Sequence, residues 1–172
     1  MTMLSILAQA DIFYDLTPAQ LELIASICEE QRCRVGETVF AENSPSQDMY
    51  IIAQGEVEIR IDPKLVTDTP ADADMPPVTI ATVRPGQVFG EIALVDQGFR
   101  SAGAHVSQHD TRLIVIGRDR LMALCDAHPD LGYRVMRNLA ADLSLKLRST
   151  DIEMRAQLAR RPREIDGPGP AR

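Results

Sequence analysis

The sequence is most informative between positions 89 and 102, which read Phe89-Gly90-Glu91-Ile92-Ala93-Leu94-Val95-Asp96-Gln97-Gly98-Phe99-Arg100-Ser101-Ala102. A carboxylate at Glu91 stands nine residues before a guanidinium at Arg100, with a short apolar run and a turn between them. A glycine that opens a short helix lets backbone N–H groups point at an anion, and an arginine can bind the same anion through two parallel bonds. An ionised glutamate only accepts hydrogen bonds, so it suits a sugar hydroxyl. An anion and a sugar in one small pocket together indicate a nucleotide.

Short motifs before and after this stretch follow in the order and spacing of a known family. They are Gly36-Glu37-Thr38-Val39-Phe40, Met49-Tyr50-Ile51-Ile52, Gly55-Glu56-Val57, Arg84-Pro85-Gly86 and Asp110-Thr111-Arg112-Leu113. With residues 89–102, which look like a phosphate-binding cassette, they resemble the cyclic nucleotide-binding domains over residues 5–150. That family includes the sensor domains of the catabolite activator protein and its bacterial relatives, cyclic-nucleotide-dependent kinases and gated channels.

The resemblance implies an α+β fold. Its centre is an eight-stranded antiparallel β-roll, also called a jelly roll or double-stranded β-helix, flanked by N-terminal helices and a long C-terminal helix. The sequence itself agrees, because many short β-branched runs separated by turn residues between Cys33 and Ile116 are typical of a sandwich or jelly roll.

The resemblance also assigns roles within the cassette. Glu91 would accept a hydrogen bond from the ribose 2′-OH, Arg100 would pair with the cyclic phosphate, and Ser101 would add a hydroxyl and a backbone N–H. The full implied ligand-binding set is Phe89, Gly90, Glu91, Ile92, Ala93, Arg100, Ser101 and Ala102. Ser101 could serve either base, and a bacterial-type composition together with this serine favours cAMP, with cGMP as the open alternative. A second alternative is that Glu91 and Arg100 form only a structural salt bridge.

Other parts of the site are less typical of the family. Phe99 stands where a proline often precedes the arginine, and the segment that leads to Asp110 is one residue longer than usual, which suggests a bulge. The lid over the base would come from the long helix, where Leu147, Ser149 and Thr150 are candidates by position alone.

Composition limits the possible classes of protein. The chain has 172 residues, 45% hydrophobic and 25% charged, which suits one globular domain with an appendage. No apolar run approaches the ~18 residues of a membrane helix, and no basic residue precedes the apolar N-terminal segment as a secretory signal requires. We therefore expect a cytoplasmic protein that does not contact a membrane.

Charge is distributed unevenly. The net charge is −7, but residues 1–130 hold 9 basic against 20 acidic residues, whereas residues 131–172 hold 9 against 5. An acidic body does not suit nonspecific nucleic-acid binding. The chain also ends about where a winged helix-turn-helix would begin in the regulators of this family, so we expect no DNA binding by this chain alone.

Cysteine and histidine positions argue against a metal cofactor. The three cysteines and three histidines show no ligand spacing, and no His-x-His pair of the cupin type is present. We expect no cofactor apart from the cyclic nucleotide ligand.

The pattern along the chain predicts helices over 2–10, 18–31, 118–127 and 131–160. Thr17, Pro18 and Gln20 have the arrangement of a capping box at the second of these helices. In the last helix, apolar residues repeat every eleven positions and extend beyond the body of the domain, so the outer half needs a partner. The family resemblance implies that this partner is a second subunit, which gives a homodimer through residues 131–160. The prolines and aspartates of 62–77 indicate an exposed mobile loop that meets a partner or is a tolerated insertion.

We therefore expect a cyclic nucleotide-binding domain over 1–128, a lid and dimerisation helix over 129–160, and a disordered tail over 161–172. The predicted function is a non-catalytic cAMP sensor whose hinge at 117–131 reorients the long helix toward a dimer or an unidentified protein target. Three alternatives stay open: the sensor part of a Crp-like transcription regulator truncated before its DNA-binding domain, a ligand-free dimerisation module, and a cupin-like metalloenzyme.

Overall fold

The computed structural model describes residues 2–45, 47–65, 75–96 and 98–160. The chain divides into two compact units, Met1–Leu139 and Ala140–Arg172. The predicted tail at 161–172 and most of the predicted loop at 62–77 lie outside the described residues.

The first unit contains two four-stranded antiparallel sheets, which confirms the eight-stranded roll. One sheet has the strand order β1-β8-β3-β6 and the other β2-β7-β4-β5. The strands are β1 Cys28–Cys33, β2 Thr38–Phe40, β3 Asp48–Gln54, β4 Val57–Ile61, β5 Val78–Val83, β6 Val88–Phe89, β7 Gly103–Val106 and β8 Thr111–Gly117.

Helices precede and follow the strands, as expected, and one short helix lies between β6 and β7. They are α1 Met3–Leu7, α2 Pro18–Ser26, α3 Ile92–Asp96, α4 Arg118–Ala127 and α5 Pro129–Arg160, with 3-10 turns at Asp11–Phe13 and Pro63–Leu65. The capping box is present, since the Thr17 side chain accepts from the Gln20 backbone and the Gln20 side chain accepts from the Thr17 backbone. The first predicted helix, 2–10, is wrong in length because α1 ends at Leu7.

The prediction of a helix over 18–31 is wrong in its last turn. The helix stops at Ser26, and Cys28 begins β1, which pairs with β8 from Cys28↔Ile116 to Cys33↔Thr111. Six antiparallel residue pairs join one side of this segment to β8, and this tertiary pairing overrides the helical spacing of its apolar residues.

A turn glycine fixes how β3 passes into β4. Gly55 has φ +87, and a Cβ there would lie 2.7 Å from the Cα of Thr111. Glycine is therefore required both by the backbone conformation and by the close approach of β8. Nearby apolar side chains fill the interior of the roll, namely Cys33, Tyr50, Ile52, Val57, Val83, Phe89, Ala104, Val106 and Leu113.

The second unit contains the outer part of α5. Its exposed apolar side chains are Leu145, Leu147, Ile152 and Met154. Among the described residues, no helix combines the length and the apolar character that crossing a membrane requires.

Candidate functional site

The backbone of Arg100 is held by the turn that follows β2. The Arg100 N–H donates to the Ser44 carbonyl at 3.1 Å, and the Asn43 N–H donates to the Arg100 carbonyl at 2.8 Å. Asn43 has φ 58, a left-handed conformation that asparagine tolerates better than most residues. This turn fixes the direction in which the Arg100 side chain leaves the backbone.

The side chain of Arg100 points into the roll and is 3% exposed. Its Nη1 donates to the Gly90 carbonyl at 2.8 Å, and its Nη2 donates to the Asp48 carbonyl at 2.6 Å. The guanidinium carbon lies 4.0 Å from the centre of the Phe40 ring, within the range of a cation–π contact. Two charge-assisted bonds and one aromatic face therefore hold the cation in a single position.

Gly90 is the residue that makes this position possible. Its φ is +77, and a Cβ at this position would lie 2.6 Å from Nη1 of Arg100 and 3.1 Å from the Asp48 carbonyl oxygen. A side chain at position 90 would therefore displace the guanidinium. The glycine that opens the cassette thus serves the arginine as well as the turn.

Glu91 is the second buried charged residue of the cassette, 4% exposed, directly before α3. Its carbonyl accepts from the Leu94 N–H at 3.1 Å, which closes the first turn of the segment. Burial is expensive for a carboxylate and a guanidinium unless each has partners of opposite charge or hydrogen bonds. Arg100 has such partners in two backbone carbonyls and in the charge of Glu91, so the burial of the pair agrees with a ligand site and also with a structural salt bridge.

The electrostatics of Arg100 agree with a ligand site. Burial of the guanidinium lowers the pKa of Arg100 below its ordinary value. Its acidic neighbours Tyr50, Asp48 and Glu91 act in the opposite direction on that pKa. An arginine stays protonated in proteins, so the site holds a desolvated positive charge that suits an anion.

An aromatic cluster underlies the arginine. Tyr50 and Phe89 stack with ring centres 5.1 Å apart, and the ring of Phe40 lies 5.7 Å from Tyr50 and 5.9 Å from Phe89. Sequence reasoning placed Phe89 in the site but gave Phe40 and Tyr50 no role in it. Their signal was their position in the two upstream motifs that carry the family resemblance.

A sequence model described as "Cyclic nucleotide-binding domain" matches residues 30–128, which contain all of these groups. The chain belongs to the cyclic nucleotide-binding domain family. The Cyclic AMP receptor protein of Thermus thermophilus is 32% identical over 143 residues, which are 83% of this chain and 60% of that protein. A CRP-like cAMP-activated global transcriptional regulator of Mycobacterium tuberculosis is 29% identical over 80% of this chain and 57% of its own length.

Solved structures of the family share the fold. The crystal structure of the Thermus thermophilus catabolite activator protein superposes with a TM-score of 0.70 at 30% identity, covering 86% of this chain and 63% of that one. A cyclic nucleotide-binding domain from Methylobacillus flagellatus has a TM-score of 0.75 at 24% identity over 95% of this chain and 84% of its own. The chain spans 60% or less of the lengths of both curated relatives.

The remaining cassette residues differ in exposure. Ile92, Phe99 and Ser101 are exposed, whereas Ala102 is buried. Ala93 lies within α3, and its side chain is outside the described set. Phe99, in the place of the usual proline, forms an isolated antiparallel bridge with Pro45.

The predicted bulge after Arg100 does not lie in β7. Residues 103–106 pair with β4 without interruption, and the register shifts of this sheet lie between Thr38 and Phe40 in β2 and between Ile59 and Arg60 where β4 pairs with β5. The turn that leads to β8 contains Asp110 with φ 56, so the chain turns there through a left-handed residue.

The lid candidates Leu147, Ser149 and Thr150 lie in the outer part of α5, within the second unit. All three are exposed, and the Thr150 hydroxyl donates to the Lys146 carbonyl at 3.0 Å. Their role as a lid stays a prediction.

The chemistry of the cysteines is that of protonated thiols. Burial raises the pKa of Cys28 to about 12, and burial also raises the pKa of Cys33 and of Cys125. In the described part of the chain, no three His, Cys, Asp or Glu side chains are grouped so that they would hold a metal ion.

Proposed function

We propose that this chain is a cAMP sensor that binds its ligand at the cassette and does no chemistry itself. The observation that carries the proposal is the buried Arg100 guanidinium, held against Gly90 and Phe40 in the same segment as buried Glu91. A desolvated cation fixed before the ligand arrives binds a phosphate diester without first ordering its own side chain.

Each cassette residue has a distinct role in this proposal. Arg100 neutralises the cyclic phosphate, since a guanidinium presents N–H donors that match an oxyanion, and the Gly90 and Asp48 carbonyls hold it in place. Glu91 accepts from the ribose 2′-OH, and exposed Ser101 adds a hydroxyl and a backbone N–H to the phosphate. The names of the curated relatives favour cAMP over cGMP, and Ser101 is compatible with either base.

Signal transmission runs through α5 in this proposal. His128, between α4 and α5, has φ −132 and ψ 76, so the two helices are not continuous. Downstream, Arg134 Nη1 donates to the Asp15 carbonyl at 2.6 Å, and Asn138 Nδ2 donates to the Tyr14 carbonyl at 2.7 Å. A movement of α5 about position 128 would therefore also move the N-terminal segment.

The exposed apolar residues of the outer α5 support a homodimer through residues 131–160, with a second protein as the other target of the signal. In either case, cAMP changes the equilibrium between two positions of the helix by its difference in affinity for them. Leu147, Ser149 and Thr150 act as the lid over the base.

The test is calorimetric titration of the chain with cAMP and with cGMP. We expect Arg100→Ala to abolish binding and Arg84→Ala, an exposed arginine between β5 and β6, to leave it unchanged. Circular dichroism of both variants confirms folding, which is needed because Arg100 also bonds two carbonyls of the roll. Unchanged cAMP affinity in folded Arg100→Ala would show that the ligand binds elsewhere.

A further inference from the structure

A second polar cleft lies in the first unit, and its lining shares no residue with the cassette. It has a volume of about 550 Å³ and lies where β1 and β3 end and β8 begins. The cleft is lined by Arg32, Cys33, Arg34, Gln54, Asp110, Thr111 and Arg112.

The strand register places two of its arginines directly opposite each other. Arg32 on β1 is the Cα partner of Arg112 on β8, and Arg112 is in turn the partner of Gln54 on β3. Like charges at directly opposed positions of an antiparallel pair repel. This sequence therefore tolerates an unfavourable pair at the edge of a cleft.

The two arginines share one carboxylate. Oε1 of Glu30 lies 3.3 Å from Nη1 of Arg112 and 4.0 Å from Nε of Arg32. Arg34 adds a third guanidinium to the cleft, and Asp110 adds one carboxylate. A third carboxylate, that of Glu37, accepts from the Arg34 N–H at 2.9 Å, so the excess of positive charge is confined to Arg32 and Arg112, which share Glu30.

The side chains already have an arrangement that suits an oxyanion. Arg112 Nε donates to Gln54 Oε1 at 3.2 Å, which orients the guanidinium across the strands. Arg32 and Arg34 are exposed and can turn toward a ligand. Arginine forks match phosphate and carboxylate oxygens in bidentate fashion, and a cleft of this volume accommodates a small molecule.

We propose that this cleft binds a small multivalent oxyanion, through phosphate or carboxylate groups, independently of the cassette. The ligand supplies the negative charge that the opposed arginines lack. Glu30 competes with the ligand for the same two guanidiniums. Removal of Glu30 therefore strengthens binding, whereas removal of the arginines weakens it.

The experiment titrates the full chain with pyrophosphate and, separately, with citrate, at constant ionic strength, by calorimetry. Compared with the native chain, the double variant Arg32→Gln/Arg112→Gln binds at least ~10-fold more weakly, as expected for loss of a charge-assisted hydrogen bond. Glu30→Gln binds more tightly, a gain that damage to the fold would not produce. Arg148→Gln removes the same charge from exposed α5 and leaves the affinity unchanged.

If only pyrophosphate binds saturably, the site is specific for phosphate compounds. If only citrate binds saturably, the site is specific for carboxylates, and if both bind, the site recognises the oxyanion chemistry that they share. Each of these results, with the variant effects above, supports the proposal. Absence of saturable binding of either anion to the native chain overturns it. Equal affinities of the double variant and Arg148→Gln overturn it as well.

Discussion

Gly90→Ala tests whether the cassette glycine exists to make room for the arginine. The substitution places a non-glycine residue at φ +77, which costs about 1–2 kcal/mol in the left-handed region. It also puts a Cβ 2.6 Å from Nη1 of Arg100, so the guanidinium must leave the Gly90 carbonyl, to which it donates at 2.8 Å. Loss of that charge-assisted bond adds about 1.5–3 kcal/mol to the decrease in unfolding free energy.

Gly36→Ala is the matched control. Gly36 has φ +83, close to that of Gly90, but a Cβ there meets no atom within 4 Å. Gly36→Ala therefore loses stability through the left-handed backbone conformation alone and does not displace Arg100. Urea unfolding should show Gly90→Ala less stable than Gly36→Ala by about 1.5–3 kcal/mol.

The same pair of variants separates stability from binding. In Gly90→Ala the displaced guanidinium loses its position for the phosphate, so cAMP affinity should fall about 10- to 150-fold, the equivalent of one charge-assisted bond. Gly36→Ala should bind as the native chain does. If the two variants lose equal stability and bind cAMP equally well, Gly90 has no role beyond its turn, and the argument for the site is wrong.

Three further predictions concern other parts of the first unit. Gly55→Ala should destabilise the roll by more than about 3 kcal/mol. Adding Thr111→Ala should not restore stability, because the new Cβ would also lie 2.7 Å from the Thr111 Cα, which the second substitution keeps. Recovery of the native urea midpoint in the double variant would refute the backbone clash. Asp15→Asn should lower the free energy of unfolding by about 0.5–1 kcal/mol in low salt and by less in 1 M NaCl, because it removes the 2.8 Å ion pair with Arg134. Asparagine tolerates the φ of 64 at this position, so the backbone is not strained. A loss of stability in urea unfolding that does not depend on salt would contradict the ion-pair explanation. Cys28 has a pKa near 12, so the fraction of this side chain present as thiolate at pH 8 is roughly 10⁻⁴. Iodoacetamide should therefore label Cys28 far more slowly in the native chain than in urea, as followed by mass spectrometry. Equal labelling rates would rule out the raised pKa.

Sequence patterns predicted correctly the elements that are stabilised by residues close to one another in the sequence. The helix over 118–127 was predicted with its observed bounds, and the Thr17 capping box was predicted from three residues alone. β1 was missed because its residues, Cys-Glu-Glu-Gln-Arg-Cys, have little strand preference and become a strand only by pairing with β8. The paired residues of β1 and β8 lie 78 to 88 positions apart, from Cys33↔Thr111 to Cys28↔Ile116, where no local signal reaches.

The candidate site divides in the same way. The sequence alone pointed to Glu91, Gly90 and Arg100, because the charges of Glu91 and Arg100 and the conformational freedom of Gly90 follow from residue type. The sequence did not reveal the groups that hold Arg100, because the carbonyls of Asp48 and Gly90 are backbone atoms that any residue supplies. Phe40 contacts the guanidinium only because folding brings the end of β2, 60 residues before Arg100 in the sequence, next to the cassette.

The aromatic cluster gives this protein a label-free optical signal. The chain has no tryptophan and three tyrosines, of which Tyr14 and Tyr133 are 72% and 67% exposed. Tyr50 is 6% exposed, stacks on Phe89, and lies 5.8 Å from the guanidinium carbon of Arg100. Because near-ultraviolet dichroism arises from aromatic rings in fixed packing, Tyr50 should dominate that spectrum. Any displacement of the arginine would then be visible in unmodified protein, without a fluorophore or a labelled nucleotide.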